Sequence, residues 1–230
     1  MTIAENIAKI RENMAAAARE AGRDPKEILL VGASKMNDAA ACREAVAAGI
    51  DALGENRVQE MVQKLEQHAY DGAPLHFIGH LQRNKVKQVV GHVALIQSVG
   101  SLELLDEIEK VAAARDLVQD ILLEVNIGRE AAKSGFAPED VLAGAETALE
   151  RPHVRVRGLM TIPPADAERD ANFRYFQEVQ ALYVDMNQKL FHNELEYLSM
   201  GMSGDYEDAI RAGATMVRVG SAIFGARHYN

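Results

Sequence analysis

The chain has 230 residues, of which 48% are hydrophobic, and it carries a formal net charge of -9 at pH 7. This length suits one large domain as well as two small ones. No linker, low-complexity segment or charge run divides the chain, so we expect a single domain over residues 1–230. The acidic balance argues against nucleic acid or an anionic membrane as the main partner.

The N-terminal segment, residues 1–22, predicts a helix that packs on the rest of the domain. Thr2 and Glu5 have the spacing of a capping box. Apolar residues follow at helical spacing, namely Ile3, Ile7, Ile10 and Met14. This pattern does not fit a signal peptide or a membrane span. Cys42 is the single cysteine, so no disulfide can form within the chain, and we expect a reduced, cytoplasmic protein.

From residue 28 onward, short apolar runs alternate with longer stretches of helical period. The runs predict eight strands, at 28–34, 51–56, 75–80, 94–100, 120–127, 154–162, 196–202 and 215–225. Helical stretches between them include 38–49, 101–115, 137–150, 171–190 and 205–213. This alternation is typical of βα units around a parallel sheet. It predicts an α/β fold, a closed (β/α)8 TIM-type barrel with an added N-terminal helix, and a doubly wound open sheet is the alternative.

A lysine follows the first predicted strand. In both architectures ligands bind at the carboxyl ends of the parallel strands. The stretch "ILLVGASK" places Lys35 directly after an apolar run, between Ser34 and Met36. Apolar neighbours favour the neutral amine, the form that Schiff-base chemistry requires. Lys35 is therefore a candidate nucleophile, and a solvated surface charge is the alternative.

Small residues follow the last two predicted strands. Ser203 and Gly204 precede a helix that begins near Asp205, where free N–H groups suit a phosphate, although Ser203 can also be a simple N-cap. Gly220 allows close backbone approach, and Ser221 can open a short turn of helix. Barrels of this kind often bind phosphate after strands seven and eight. Two anion sites near a strand-end lysine indicate a phosphorylated aldehyde as the ligand. Pyridoxal phosphate fits, because it has an aldehyde for the lysine and a phosphate for the anion sites.

An arginine lies inside the eighth predicted strand. Alternation puts Met216, Arg218 and Gly220 on one face of that strand. Arg218 either forms a salt bridge with a carboxylate or faces the pyridine nitrogen of the cofactor. In the second case its permanent charge keeps that nitrogen unprotonated and makes the ring a weak electron sink.

Ordered motifs run from about residue 28 to 226. They are "VGASK", "LGENRVQE", "HFIGHLQRNKVK", "LLEVNIGREAAKSGF", "VRGLMTIPP", "LSMGMSGDYEDAI" and "VRVGSAIFG". In order and spacing they resemble the family of pyridoxal phosphate homeostasis proteins. The resemblance implies a barrel similar to the N-terminal domain of alanine racemase, with Lys35 as the lysine that forms a Schiff base with pyridoxal 5'-phosphate. It also implies binding and delivery of this cofactor without an established catalytic reaction.

The resemblance assigns further residues to the cofactor site. The phosphate-binding segments fall on Ser203 and on Gly220 with Ser221, and the arginine that faces the pyridine nitrogen falls on Arg218. The rest of the pocket wall falls on Asn56, His80, Asn84, Met160, Ser199 and Met200.

The sequence departs from the racemase pattern in one respect. Racemisation requires a base on each face of the cofactor, and alanine racemase supplies a tyrosine from a separate C-terminal domain. The chain ends at Asn230, so we expect neither this second base nor the lid that excludes water. Tyr229 is a poor general acid because it lies one residue from the end.

Four smaller signals have plain interpretations. His76 and His80 are expected to share a strand face, but no third ligand is indicated, so a metal site is not predicted. Residues 83–87 form a short basic patch, expected to be a solvated helix face. Lys133 is a rival lysine that we expect to be exposed, and Cys42 is expected to be a buried hydrophobe.

The leading hypothesis is a protein of vitamin B6 homeostasis that carries or buffers pyridoxal 5'-phosphate as a Schiff base on Lys35. Its expected partners are the cofactor and pyridoxal phosphate-dependent apo-enzymes, and it is expected to be a monomer or weak dimer. One alternative is a weak amino-acid racemase or decarboxylase on the same scaffold. Another is a class I aldolase that uses Lys35 on a sugar phosphate.

Overall fold

A closed parallel barrel dominates the structure, a computed structural model that describes residues 1–165 and 167–225. Its strands are β1 Leu29–Ala33, β2 Ala52–Glu55, β3 Leu75–Phe77, β4 Leu95–Val99, β5 Gln119–Val125, β6 Val154–Thr161, β7 Tyr197–Ser199 and β8 Met216–Val219. Neighbours in the chain pair in parallel, and β8 pairs with β1 to close the barrel. The predicted (β/α)8 barrel is confirmed, and the open doubly wound sheet is excluded.

Helices surround the barrel. They are α1 Ile3–Glu20, α2 Ala39–Ala47, α3 Val58–Glu66, α4 Leu102–Ala114, α5 Val141–Leu149, α6 Arg169–Leu190, α7 Tyr206–Arg211 and α8 Ser221–Phe224. Between β3 and β4 the chain forms a 3-10 helix, Arg83–Gln88. No helix in the described ranges combines the length and apolarity needed to cross a membrane.

Three predicted strands end at least three residues earlier in the structure than in the sequence pattern. β3 ends at Phe77 instead of residue 80, β7 ends at Ser199 instead of 202, and β8 ends at Val219 instead of 225. After β8 the Gly220 carbonyl accepts hydrogen bonds from two amides of α8, so the chain turns into helix at this point. The apolar patterns continued past these ends because the loops at this end of the barrel are themselves partly buried.

The barrel separates two apolar cores. The inner core fills the barrel and consists of Val31, Ala52, Leu95, Leu122, Met160 and Met216. The outer core lies between the strands and the helices, and Val217 and Val219 of β8 belong to it. Met216 points inward and its neighbour Val217 points outward, which confirms the predicted alternation along β8.

Helix α1 packs on the outside of the barrel against α7, α8 and α2. Thr2 and Glu5 form the predicted capping box. The buried face of α1 carries Ile7, Ile10 and Met14. Polar contacts join it to two other helices, since Asn6 Nδ2 donates to the Ile223 carbonyl at 2.8 Å and Asn13 Nδ2 donates to the Tyr206 hydroxyl at 3.0 Å. Helix α1 therefore braces the helices that follow β7 and β8.

Candidate functional site

The predicted nucleophile lies at the carboxyl end of the barrel. Lys35 sits in a turn directly after β1 and is half-buried, beside the fully buried Ser34. The next residue, Met36, has a φ of 63°, a left-handed conformation that is uncommon outside glycine. Asn37 Nδ2 donates to the Lys35 carbonyl at 3.0 Å. The turn thus has a defined conformation that presents Lys35 at the rim.

The loop after β8 lies next to this turn because β8 pairs with β1. An added Cβ at Gly220 would lie 3.2 Å from the Ala33 carbonyl oxygen, so a side chain here would crowd the end of β1. Because glycine has no side chain, a small space remains between the ends of β1 and β8. The Gly220 backbone thus lies close to the end of β1, and its expected approach to a bound anion stays a prediction.

The loops after β7 and β8 meet through a serine. Ser203 Oγ accepts hydrogen bonds from the Gly220 amide at 3.2 Å and from the Ala222 amide at 3.5 Å. Ser203 is half-buried and Ser221 is exposed. Hydroxyl and amide donors from two loops converge beside the Lys35 turn, and such a group of donors suits an anion.

Arg218 projects into the barrel from β8, and its side chain is 3% exposed. Its Nη1 donates to the Ser199 hydroxyl at 2.6 Å and its Nη2 donates to the Thr161 carbonyl at 2.8 Å. Burial lowers the pKa of Arg218 to about 10, and the charges of Asp205 and Glu124 oppose this effect. Arg218 therefore remains a cation at neutral pH. Within the described ranges no carboxylate lies at ion-pair distance from the Arg218 guanidinium. The predicted alternative, a salt bridge between Arg218 and a carboxylate, is therefore excluded for these ranges.

A chain of hydrogen bonds continues from Arg218 across the barrel interior. Ser199 Oγ donates to Gln97 Oε1 at 2.6 Å, and Gln97 Nε2 lies 2.9 Å from His76 Nδ1. The same Gln97 nitrogen donates to Met216 Sδ at 3.1 Å. We call Arg218, Ser199, Gln97 and His76 the interior polar chain. Because Gln97 Nε2 is a donor, His76 Nδ1 is an acceptor and the imidazole is neutral.

Sequence reasoning missed Gln97. The stretch "ALIQSVG" places one amide inside an apolar strand, and an isolated polar residue in a buried strand requires partners. The signal was present, but only the closed barrel shows that the partners lie on β3, β7 and β8.

His76 and His80 do not share a strand face, contrary to the prediction. β3 ends at Phe77, so His76 is buried in the barrel whereas His80 is exposed on the rim. Burial lowers the pKa of His76 to about 4. No group of three or more metal-binding side chains occurs in residues 1–165 and 167–225, and the pair forms no metal site there.

The remaining predicted residues divide between the mouth and the cores. Asn56 follows β2, and its Oδ1 is buried without a hydrogen-bond partner in the described part of the chain. Met160 belongs to the inner core, whereas the Met200 side chain belongs to the outer core and is not brought together with the others. Asn84 is exposed on the 3-10 helix. Tyr229 lies outside the described residues.

Two further expectations concern side chains away from the site. Lys133 is exposed and pairs with Glu130 at 2.5 Å, as expected for a surface lysine. Cys42 is fully buried, as expected for a small hydrophobe.

Glu124 is a second residue that sequence reasoning did not identify. It lies on β5 at the mouth, 9% exposed, and one carboxyl oxygen accepts a hydrogen bond from Ser134 Oγ at 3.1 Å. Burial raises the pKa of Glu124, opposed by the hydrogen bond from Ser134 and the charge of Arg218. Its partner Ser134 lines a cavity of about 610 Å³, together with residues such as His80 and Ser98. This cavity opens at the carboxyl end of the barrel.

Known proteins share both the sequence and the fold. The family described as "Alanine racemase, N-terminal domain" matches residues 6–228. The chain is 44% identical to the "Pyridoxal phosphate homeostasis protein" of Pseudomonas aeruginosa, over 99% of this chain and 97% of that protein. It is 42% identical to the protein of the same name from Aquifex aeolicus, over the full length of both. Among solved structures, PipY of Synechococcus elongatus with PLP bound superposes with a TM-score of 0.84 at 32% identity, over 97% of this chain and 100% of that one.

Proposed function

The chain belongs to the alanine racemase N-terminal domain family and, within it, to the pyridoxal phosphate homeostasis proteins, and on this basis we propose that it binds pyridoxal 5'-phosphate and acts in the homeostasis of this cofactor. The observation that carries the proposal is the convergence of Lys35, the Ser203–Gly220 donors and Arg218 at one end of the barrel. The cofactor in the PipY structure supports it.

The residues at the mouth fit this cofactor. The amides and hydroxyl near Ser203 and Gly220 suit a phosphate. The absence of a side chain at Gly220 leaves space for it between the ends of β1 and β8. The unpartnered Asn56 Oδ1 offers an acceptor at the same end of the barrel. Each element of a phosphorylated pyridine aldehyde thus has a matching group in the chain.

We assign roles to these residues. When bound, pyridoxal phosphate supplies an aldehyde that condenses reversibly with an amine and releases water. Lys35 Nζ is the amine of the chain, Ser203 with Gly220 and Ser221 binds the phosphate, and Arg218 faces the ring nitrogen. The wall of the site comprises Asn56, Met160 and Ser199, with Met200 contributing through its backbone.

Arg218 also bears on whether the protein is an enzyme. Its guanidinium already donates to Ser199 and Thr161 and carries a permanent charge, so it gives no proton to a ring nitrogen. A cofactor held in this way withdraws electrons weakly, which disfavours carbanion chemistry. We therefore propose a carrier or buffer without catalytic turnover, located in the cytoplasm, that exchanges the cofactor with apo-enzymes.

The test of covalent binding compares Lys35→Ala with Lys133→Ala. The protein is incubated with pyridoxal phosphate, reduced with borohydride and mapped by peptide mass spectrometry. We expect a reduced adduct on Lys35 in wild type and in Lys133→Ala, and loss of more than 90% of it in Lys35→Ala. An adduct mainly on another lysine, or none in wild type, would overturn the proposal.

The rival enzyme hypothesis is tested with single amino acids in deuterated water. A racemase or decarboxylase on this scaffold exchanges the α-proton much faster than free cofactor does. We expect rates within about threefold of free pyridoxal phosphate, because Arg218 does not protonate the ring. An acceleration of a hundredfold or more that Lys35→Ala abolishes would show catalysis.

A further inference from the structure

A buried ionic cluster lies behind the turn that carries Lys35. Lys64 of α3 donates from Nζ to Glu55 Oε1 at 2.7 Å and to Glu60 Oε1 at 2.7 Å. The side chains of Lys64 and Glu55 are 6% and 0% exposed. This cluster lies outside the barrel wall, between β2 and α3, and no role at the cofactor site described above uses it.

Charged groups are costly to bury, so such a cluster persists only when its hydrogen bonds are well formed. Burial lowers the pKa of Lys64, but the charge and hydrogen bond of Glu55 and the bond to Glu60 outweigh it, so the net direction is upward. Lys64 stays protonated at neutral pH. An ammonium ion has three donors, and two of them are directed at carboxylates.

The third donor reaches the turn itself. Lys64 Nζ donates to the Ser34 carbonyl at 2.9 Å, on the N-terminal side of Lys35. On the other side, the Met36 amide donates to Glu60 Oε1 at 2.5 Å. Ser34 Oγ also donates to Glu55 Oε1 at 2.6 Å. Both peptide groups that flank Lys35 are therefore held by one pair of side chains from α3.

The conformation of the turn explains why it needs this support. Met36 has a φ of 63°, which L-residues rarely adopt without compensating contacts. Two hydrogen bonds supply such contacts: the Met36 amide donates to Glu60, and the Ser34 carbonyl accepts from Lys64. If these hydrogen bonds are removed, the Met36 backbone can return to a negative φ. The orientation of Lys35, the preceding residue, then changes with it.

We propose that Lys64 and Glu60 are positioning residues that hold the Lys35 turn in the conformation from which its amine attacks the aldehyde of pyridoxal phosphate. This inference rests on the proposed function. In the step concerned, the neutral Lys35 amine forms a C=N bond with the aldehyde carbon. The C=O bond breaks, and its oxygen leaves as water with the two protons of the amine. Lys64 and Glu60 act on this step only through the backbone of Ser34 and Met36.

The experiment uses Lys64→Met, Glu60→Ala and Glu60→Gln. Glutamine retains an acceptor oxygen for the Met36 amide, so Glu60→Gln should behave as wild type, whereas Glu60→Ala removes that acceptor. The matched control is Lys189→Met, which breaks an exposed Lys–Asp pair at the same i,i+4 spacing on α6. Glu60 is partly exposed, so its alanine variant keeps the test open if Lys64→Met fails to fold.

Two readouts separate positioning from general stability. The first is amide hydrogen exchange of the 34–37 segment without cofactor, which should become at least tenfold faster in Lys64→Met and Glu60→Ala while the β4 and β5 amides stay protected. The second is the rate constant for the borohydride-trapped adduct on Lys35, which should fall at least tenfold in the same variants. Glu60→Gln and Lys189→Met should stay within twofold of wild type.

Different results would overturn the positioning role and the proposed function. Wild-type exchange at 34–37 and wild-type adduct rates in folded Lys64→Met and Glu60→Ala would overturn the positioning role and leave the proposed function intact. Absence of an adduct in wild type would overturn the proposed function itself.

Discussion

Arg218 determines the direction of the interior polar chain. A guanidinium can only donate, so Ser199 Oγ accepts a hydrogen bond from it and donates its own O–H to Gln97 Oε1. The Gln97 amide is thereby oriented with its nitrogen toward His76 Nδ1. A protonated His76 would place an N–H against an N–H, so burial and this orientation both favour the neutral ring. Burial thus lowers the pKa of His76, and the hydrogen bonds that begin at Arg218 on β8 favour the same neutral form.

This chain predicts a pH dependence of stability. The pKa of His76 is about 4 in the folded state against an ordinary value of 6.5, so the unfolded state binds more protons between these values. Stability from His76 is present above pH 6.5 and is lost as the pH falls toward 4, with a loss of about 2 kcal/mol at pH 5. Urea unfolding of wild type and His76→Gln at pH 7.5 and pH 5 measures it. The decrease in unfolding free energy should be about 2 kcal/mol smaller in the variant.

Other titratable groups, including Glu124 with its raised pKa, are present in both proteins and cancel in the comparison. The control His92→Gln changes an exposed histidine and should retain the wild-type decrease. Equal decreases in wild type and His76→Gln would contradict the neutral, buried His76.

At the scale of elements, a bulge in β6 decides which side chains face the barrel. Ile121 of β5 pairs with Val156, but Leu122 pairs with Gly158, so Arg157 is an extra residue on β6. Val156 before the bulge faces the outer core, whereas Met160 after it faces the inner core. In a regular strand Val156 and Met160 would face the same side, because they are four residues apart. Without the extra residue Met160 would therefore face the outer core.

Gly158 makes this bulge possible. Its φ is 152°, and an added Cβ would lie 1.7 Å from the Tyr197 carbonyl oxygen of β7. We expect Gly158→Ala to lower the free energy of unfolding by about 2 to 5 kcal/mol, since it combines backbone strain with a backbone clash. Chemical denaturation measures the loss. Gly204→Ala is the control, because nothing lies within 4 Å of its added Cβ, and it should change stability by less than about 1 kcal/mol. Similar losses in both variants would rule out the clash.

At the scale of the whole molecule, α1 connects the first and last parts of the barrel. It packs against α2, which follows β1, and against α7 and α8, which flank β8. Arg11 extends this bracing, because it pairs with Asp51 at 3.0 Å and Asp51 accepts the Leu30 amide at 2.7 Å. The seam between β8 and β1, where the proposed site lies, is thus covered on its outer side by α1.

The bracing by α1 predicts that its buried face contributes to global stability. Ile10 is 4% exposed, and Ile10→Ala should lower the free energy of unfolding by about 3 kcal/mol through lost burial and a residual cavity. Thermal and urea unfolding provide the measurement. Glu12→Ala, on the exposed face of the same helix, should stay within about 0.5 kcal/mol of wild type. A loss below about 1 kcal/mol for Ile10→Ala would mean that α1 is not part of the cooperative fold.

Sequence alone was sufficient for the barrel and for the position of Lys35. Apolar runs and helical periods are local properties, and their alternation identifies parallel βα units without knowledge of contacts. The end of the first run marks Lys35 as a rim residue for the same reason. The ordered motifs added the family, which the matches to related proteins bear out.

Only the tertiary structure decided which buried polar groups meet. The interior polar chain joins residues as far apart as His76 and Arg218, and the Lys35 turn depends on Lys64 of α3. A local pattern shows that these residues lie in strands or helices, but not their register across the closed barrel. The bulge at Arg157 reverses the parity of β6, which simple alternation cannot reveal. Periodicity is encoded locally, whereas the pairing of buried polar groups follows from strand register and closure, which exist only in the folded chain.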